Sequence, residues 1–197
     1  MARTVDPERH QARRMMILDV AVTCFSAHGY DRTTTALVCR EAGIGSGTLF
    51  HYFPSKAALM VALLDLDTDE IRGFFQAQQD VPGREALTAW VERSLEEARD
   101  PRVGGLVNAM YGAAGEPEVA VALLANEEVI VPGLRDLVAR GQAEGAVRAD
   151  LSPARLTSWV TLLVDGFYAR IAADDDFHTA TEGDVLRDTV RHVLTGD

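Results

Sequence analysis

Between residues 33 and 56 the chain concentrates hydroxyl, imidazole and amine side chains around a glycine-rich turn. Hydroxyls and free backbone N–H groups at helix starts bind phosphate oxygens, and side chains on an exposed helix face bind base edges in a groove of duplex DNA. This chemistry predicts recognition of a nucleic acid rather than a reaction. The candidate DNA-binding residues are Thr33, Thr34, Thr35, Ser46, Gly47, Thr48, Phe50, His51, Tyr52 and Lys56.

Sequence motifs for catalysis or cofactor binding are absent. The chain contains no glycine-rich phosphate loop, no Gly-x-Ser-x-Gly elbow, no paired-histidine metal motif and no Cys-x-x-Cys. The two cysteines, Cys24 and Cys39, lie among apolar neighbours and are expected to be reduced core residues. Residues 174–176 and His178 offer metal ligands, but consecutive side chains point in different directions, which favours a solvated connector. We therefore expect no enzyme activity, no metal and no cofactor.

The elements that must position the polar segment are helices, because apolar residues recur every three or four positions and strand-like alternation is missing. We predict an all-α fold of about nine helices: a three-helix N-terminal head joined to a larger C-terminal bundle. The expected domains are residues 1–55 and 56–197. Glycine, proline and capping signals predict helices from about 11 to 28, 36–42, 45–53, from 56 onward, 84–99, 102–114, 117–141, 153–173 and 183–194.

The two short helices around the turn have the layout of a helix-turn-helix motif, in which the second helix enters the major groove. Thr33 and Thr34 stand at the start of the first short helix, where their hydroxyls either only cap the helix or also bind phosphate. Tyr52 and Lys56 flank a proline and are placed to brace the sugar-phosphate backbone. His51 is either an ordinary surface residue or a groove contact. The residues expected to pack these helices on the first helix are Val38, Cys39, Ala42, Ile44, Leu49 and Phe53.

As a whole, this motif resembles the TetR family of transcriptional regulators over about residues 12–60. The shared pattern is carried in order by Gly29-Tyr30, Thr33-Thr34, Ala42-Gly43-Ile44, Gly47-Thr48-Leu49-Phe50, Tyr52-Phe53 and Lys56. The resemblance implies a homodimer that binds operator DNA and responds to a small molecule, with repression the usual outcome and activation left open. It also implies that base contacts come from Ser46, Gly47, Thr48, Phe50 and His51. Phe50 replaces a tyrosine of the family and Gly45 replaces a serine cap, so two hydroxyl contacts are lost.

Charge is distributed unevenly along the chain. Residues 1–56 contain seven basic and five acidic residues, which is a net charge of +2. Because the whole chain has a net charge of −11, residues 57–197 have a net charge of −13. A mildly basic head on an acidic body suits a protein that presents one end to phosphates. Arg13 and Arg14 either add phosphate or minor-groove contacts or form a solvated helix start.

The acidic body is expected to supply a dimer, because one short recognition helix reads few base pairs and symmetric pairing doubles the readout. Residues 156–168 are apolar nearly all round, which predicts a helix covered by a second subunit; the alternative is ordinary intrachain core. With the last helix they form an intersubunit four-helix bundle, as the resemblance also implies. The predicted interface residues are Trp159, Leu162, Leu163, Gly166, Phe167, Val185, Val190 and Val193.

An effector cavity within the body is implied by the resemblance. The residues proposed to line it are Phe74, Trp90, Asn108, Met110, Tyr111, Trp159 and Phe167. Each is an aromatic, methionine or polar residue at helical spacing, a pattern that is also typical of plain core. The predicted effector is a small molecule that is at least partly apolar.

No apolar run approaches the roughly 20 residues needed to cross a bilayer, and the first residues lack a secretory apolar segment. We expect a cytoplasmic protein that does not enter a membrane. The alternatives are a helical ligand-binding or enzyme-like protein that retains the helix-turn-helix as a scaffold, and a nucleoid-type protein that binds DNA without sequence preference, for which a basic body would be expected.

Overall fold

Residues 7–196 are described by a computed structural model, and within them the backbone forms nine α-helices and no strand. This confirms the all-α class. The helices are α1 (Pro7–Arg32), α2 (Thr35–Glu41), α3 (Ser46–Tyr52), α4 (Lys56–Ala77), α5 (Gly83–Glu97), α6 (Val103–Ala113), α7 (Pro117–Ala143), α8 (Pro153–Ala173) and α9 (Thr179–Thr195).

Two helix boundaries differ from the predicted ones. α1 begins at Pro7 rather than near residue 11, because the fixed φ of proline suits the first helical position. The regular helix of α1 is interrupted at Gly29, whose φ of 72° is favourable only for glycine. This is where the sequence predicted the helix to end. A short helical segment follows the interruption and ends at Arg32. α9 begins at Thr179 rather than near residue 183. Gly183, which the sequence suggested as the start of this helix, is instead a buried residue inside it, packed against Leu95.

The helices pack as two compact units. The first unit consists of the described residues up to Leu66 together with Gly105–Leu123, and the second consists of Asp67–Gly104 and the described residues from Leu124 onward. Helices α4, α6 and α7 therefore contribute residues to both units. The functional division into residues 1–55 and 56–197 stays a prediction.

The core of the first unit is built by α1 and the helices that follow it. Its largest side chains without solvent exposure are Ile17, Phe25, Val38, Leu49, Leu59 and Val119. Of the residues that the sequence assigned to packing, Val38, Cys39, Leu49 and Phe53 are buried, whereas Ala42 and Ile44 are half-buried. Burial of these side chains, rather than intrinsic propensity, must stabilise α2 and α3, because each has only seven residues and an isolated helix of that length is not stable in water.

Contacts in the second unit determine the directions of three helices. Arg187 of α9 pairs with Glu92 of α5, and Thr179 at the start of α9 donates to the carbonyl of Ala98 just after α5. Residue numbers therefore rise along α9 as they fall along α5, so these helices are antiparallel. α8 and α9 pack together across a short connector and are antiparallel as well. It follows that α5 and α8 run in the same direction.

None of the helices within residues 7–196 combines the length and the hydropathy needed to cross a membrane. The pair α3 and α4 meets both criteria only when the two helices are joined across a bend of 46°.

Candidate DNA-binding surface

The start of α2 holds the three predicted threonines in three different environments. Thr34 is exposed and caps the helix, since its hydroxyl accepts from the backbone N–H of Leu37 at 3.1 Å. Thr35 is half-buried in the first turn. Thr33 is only 1% exposed, and its hydroxyl lies 2.7 Å from the carbonyl oxygen of Gly29 and 3.1 Å from that of Cys24.

These environments correct the role expected for Thr33. Its single hydroxyl proton points to carbonyl groups of α1, so the side chain ties the start of α2 to α1 and is turned away from any phosphate. Thr34 and Thr35, by contrast, stay at the open end of α2 with its free backbone N–H groups.

The turn between α2 and α3 is closed by backbone geometry. Gly43 has a φ of 62°, the left-handed conformation that glycine adopts without strain, and the N–H of Ile44 donates to the carbonyl of Cys39 at 3.0 Å. Gly45 then caps α3 without a side chain, and the N–H groups of Thr48 and Leu49 donate to its carbonyl. The sequence predicted this turn correctly from its glycines.

α3 presents one buried anchor and a broad exposed face. Leu49 has no exposed surface, whereas every other residue from 46 to 51 is exposed. Phe50 keeps 49% of its surface accessible even though it is aromatic. The predicted base-contacting residues Ser46, Gly47, Thr48, Phe50 and His51 therefore share the accessible side of one helix held in place by Leu49.

Two aromatic contacts join the end of α3 to the start of α1. The ring centroid of His10 lies 4.6 Å from that of Tyr52 and 6.0 Å from that of His51. The guanidinium of Arg14, a turn further along α1, lies 5.5 Å from the ring of Phe53. Sequence reasoning missed His10, because nothing in the spacing of a single histidine on α1 shows which helix packs over it.

Lys56 is held by α1 at the start of α4. Its amine donates to the carbonyl of Tyr30 at 2.8 Å and lies 3.9 Å from the centre of that residue's ring. The pKa of Tyr30 is raised to about 12, chiefly by burial and then by the charge of Glu116. Ser55 caps α4 by accepting from the N–H of Ala58 at 2.9 Å. Lys56 therefore joins the start of α4 to the end of α1, and its contact with the sugar-phosphate backbone stays a prediction.

The residues predicted for an effector cavity are brought together only in part. Phe74 and Trp90 are in ring contact in the second unit, with centroids 5.5 Å apart. Asn108, Met110 and Tyr111 belong to the first unit, where Tyr111 is 64% exposed. The sequence grouped these two sets because helical spacing does not identify the neighbouring helices.

Two further aromatic residues of that predicted set lie on α8. Trp159 is on its exposed side, and Phe167 is buried with its ring 5.3 Å from that of Phe177. Phe75, which the sequence did not select, stacks on Trp90 at 5.3 Å.

The residues predicted to form the dimer interface differ in how much of their surface is exposed. Trp159, Leu162 and Val185 remain 48%, 57% and 59% exposed, although they are large and apolar. Gly166 is also exposed, and Leu163 and Val193 are half-buried. Phe167 and Val190 are buried within the second unit, so for these two the predicted contact with a partner is wrong, because they point into the α8 and α9 core.

The acidic connector after α8 forms local contacts. Asp174 pairs with Arg170 and accepts from the backbone N–H of Asp176. Within residues 7–196, no group of three or more histidine, cysteine or acidic side chains is placed to hold a metal ion.

Comparison with known proteins identifies the segment that carries this surface. Residues 17–63 match the family model described as bacterial regulatory proteins, tetR family. The chain is similar to the HTH-type transcriptional repressor Rv1474c of Mycobacterium tuberculosis strain H37Rv, with 27% identity over 87% of this chain and 89% of that protein. It is also similar to the HTH-type transcriptional regulator UidR of Escherichia coli K12, with 26% identity over 94% of each chain.

Solved structures agree with these relatives in fold. Salmonella enterica GusR superposes with a TM-score of 0.72 at 25% identity, covering 93% of this chain and 95% of that chain. A TetR transcription regulator from Haloarcula marismortui superposes with a TM-score of 0.80 at 19% identity, covering 93% and 97%. The matched segment contains the turn, the capped start of α2 and the exposed face of α3. The segment that forms this surface thus matches the tetR family, within a chain that is similar over most of its length to HTH-type transcriptional regulators.

Proposed function

We propose that the chain is a ligand-responsive repressor, which binds a palindromic operator as a homodimer and is released by a small-molecule effector. The observation that carries the proposal is the exposed face of α3, where polar and aromatic side chains surround the fully buried anchor Leu49. A repressor acts where the chromosome is, so the proposal also places the protein in the cytoplasm.

DNA binding by this surface divides into two kinds of contact. Thr34, Thr35 and the backbone N–H groups at the start of α2 bind phosphate, as do Tyr52 and Lys56. His51 and its exposed neighbours on α3 bind base edges in the major groove. His10 supports this face, because its ring packs on both Tyr52 and His51.

A second copy of the chain is part of the proposal, because α3 is too short to specify an operator alone. Its seven residues span about 10 Å, which covers only a few base pairs. The apolar stripe of Trp159, Leu162 and Val185 supports pairing through α8 and α9, since soluble monomers rarely leave several large apolar side chains uncovered on one face. Twofold pairing then places two copies of α3 in successive major grooves.

Release by an effector is proposed as a population shift between two separations of the recognition helices. Support for a ligand comes from the second unit, where the ring of Trp90 contacts those of Phe74 and Phe75 and its buried indole N–H has no hydrogen-bond partner among the described residues. A ligand that binds one separation better than the other changes operator occupancy.

A mobility-shift assay tests the proposal directly. The DNA upstream of the chain's own gene is titrated with protein while random DNA competes. His51→Ala is expected to weaken binding by roughly tenfold or more, the effect of losing one base contact. His28→Ala is the matched control, because His28 is an exposed histidine on α1 of the same unit.

The outcomes of this assay separate the candidate functions. Selective binding that depends on His51 but not on His28 supports the repressor. Equal binding to random DNA indicates a non-specific DNA-binding protein. No binding to any duplex at low salt contradicts the proposal and favours a ligand-binding protein that retains the motif as a scaffold.

A further inference from the structure

A groove of about 250 Å³ lies in the first unit beside the end of α3. The apolar residues that line it are Phe53, Pro54, Ala58, Val61 and Ala62. The last three recur at helical spacing, so they present one face of α4 as the floor of the groove. Phe74 and Trp90, proposed for the effector cavity, belong to the second unit, so the groove is a different site.

The floor of the groove has a charged residue at each end. The guanidinium of Arg14 on α1 lies 5.5 Å from the ring of Phe53, which precedes α4, so Arg14 is at the end where α4 begins. Asp65 also lines the groove and lies seven residues after Ala58, about 10 Å further along α4. A positive and a negative group are therefore separated by the apolar floor.

Neither of these two charges is neutralised by an ion pair within residues 7–196. The guanidinium of the half-buried Arg14 contacts the Phe53 ring but no carboxylate, and the exposed Asp65 contacts no cationic side chain. Glu118, the third charged residue of the groove, differs from them. It accepts from the hydroxyl of Ser55 at 3.3 Å and lies in the first turn of α7, where free N–H groups stabilise a carboxylate.

The size and charge of the groove limit what can occupy it. Pockets for drug-sized ligands have volumes of about 300–1,000 Å³, so a groove of about 250 Å³ takes a smaller molecule. Two of its three charged residues are acidic, which disfavours a phosphate group of DNA. A complementary ligand is negative near Arg14, apolar in the middle and positive near Asp65.

We propose that this groove binds a small molecule with a carboxylate at one end of an apolar body and an ammonium group at the other. The carboxylate pairs with Arg14, whose planar guanidinium can donate two parallel hydrogen bonds to it. The ammonium pairs with Asp65, and the body lies along Val61. This is a second ligand site, in the unit that carries the DNA-binding surface.

The position of the groove gives this ligand a direct effect on DNA binding. Tyr52 lines the groove, and its ring centroid lies 4.6 Å from that of His10 and 5.3 Å from that of His51. A ligand carboxylate beside Arg14 and Tyr52 repels the phosphate that Tyr52 is proposed to bind. Ligand binding therefore lowers operator affinity, and by linkage the operator lowers ligand affinity by the same factor.

Three probes of one shape test the two charged ends separately. The full-length protein without DNA is titrated by calorimetry with para-(aminomethyl)benzoate, which has both charges on one ring. Para-methylbenzoate lacks its ammonium group, and para-methylbenzylamine lacks its carboxylate. We expect the doubly charged probe to bind with a Kd of about 0.1 mM or tighter, and each truncated probe to bind at least about tenfold more weakly.

Two variants locate the binding site. Arg14→Gln and Asp65→Asn should each weaken binding of the doubly charged probe by about tenfold. In Arg14→Gln that probe and para-methylbenzylamine should bind about equally, because the carboxylate has lost its partner. Arg13→Gln, at an exposed arginine of α1, and Asp80→Asn, at an exposed acid after α4, are matched controls expected to change affinity by less than about twofold. Melting temperatures show whether each variant is folded.

Each result supports or overturns the inference. No binding of the doubly charged probe, equal binding of a truncated probe to the wild type, or unchanged affinity in folded Arg14→Gln and Asp65→Asn overturns it. Ligand binding that leaves operator affinity unchanged overturns the effect on DNA binding. The proposed function is judged separately, from operator binding without any probe. A protein that binds its operator but not the probe therefore refutes only the inference about the groove.

Discussion

Replacement of Leu49 by alanine tests whether this buried residue stabilises α3, as distinct from the exposed residues of α3 that are predicted to contact DNA. Leu49 has no exposed surface and packs into the core of the first unit, so the change removes three carbon atoms from a filled site. The lost transfer free energy is about 2 kcal/mol, and incomplete collapse of the cavity brings the expected loss in the free energy of unfolding to about 3 kcal/mol. Such a loss lowers the equilibrium constant for folding by roughly two orders of magnitude.

Phe50→Ala at the adjacent position is the matched control for this experiment. Phe50 is 49% exposed, so its removal should cost less than about 1 kcal/mol of stability. Because it lies on the predicted groove face, Phe50→Ala should weaken operator binding even though the protein stays folded. Urea denaturation measures stability, and the mobility shift measures DNA affinity. A loss below 1 kcal/mol for Leu49→Ala, or equal stability losses for the two variants, refutes the assignment of anchor and face.

Three further changes test the other parts of the account. Trp159→Glu should convert a dimer to a monomer in sedimentation, because a carboxylate would enter the apolar stripe; an unchanged dimer contradicts pairing through α8. Gly105→Ala should lower the melting temperature, since its Cβ would lie 2.2 Å from the carbonyl oxygen of Ser26, and a wild-type melting temperature would show that α1 and α6 do not approach so closely. The pKa of Glu97 is higher in the folded protein than its ordinary value of 4.5. Its contribution to the free energy of unfolding is therefore full below pH 4.5 and is lost as the pH rises through the folded-state pKa. Glu97→Gln should flatten this decline in the free energy of unfolding above pH 4.5. Parallel stability curves for that variant and wild type would contradict this.

Much of the helix-turn-helix was predictable, because its signals are local. Gly43 and Gly45 identify the turn, and the periodicity of Val38 and Leu49 identifies which sides of α2 and α3 are buried. The wrong or missing residues share one physical cause. Spacing along the chain shows which face of its own helix a residue occupies, but not which other helix covers that face.

Particular residues illustrate this limit. Thr33 was expected at a phosphate, yet carbonyl groups of α1 bind its hydroxyl, and those groups lie several residues away in the chain. His10 joins the recognition surface only through the packing of α1 on α3. Arg93 on α5 pairs with Asp67 on α4, which also accepts from Asn126 on α7, so no one segment of sequence contains these contacts.

Hydroxyl-radical footprinting of the operator measures the central claim most directly, because it shows how many copies of α3 contact the duplex and where. The account predicts two protected half-sites related by twofold symmetry, with centres about 10 base pairs or a multiple of that spacing apart. Protection of a single unpaired half-site, or uniform protection along the duplex, would contradict it.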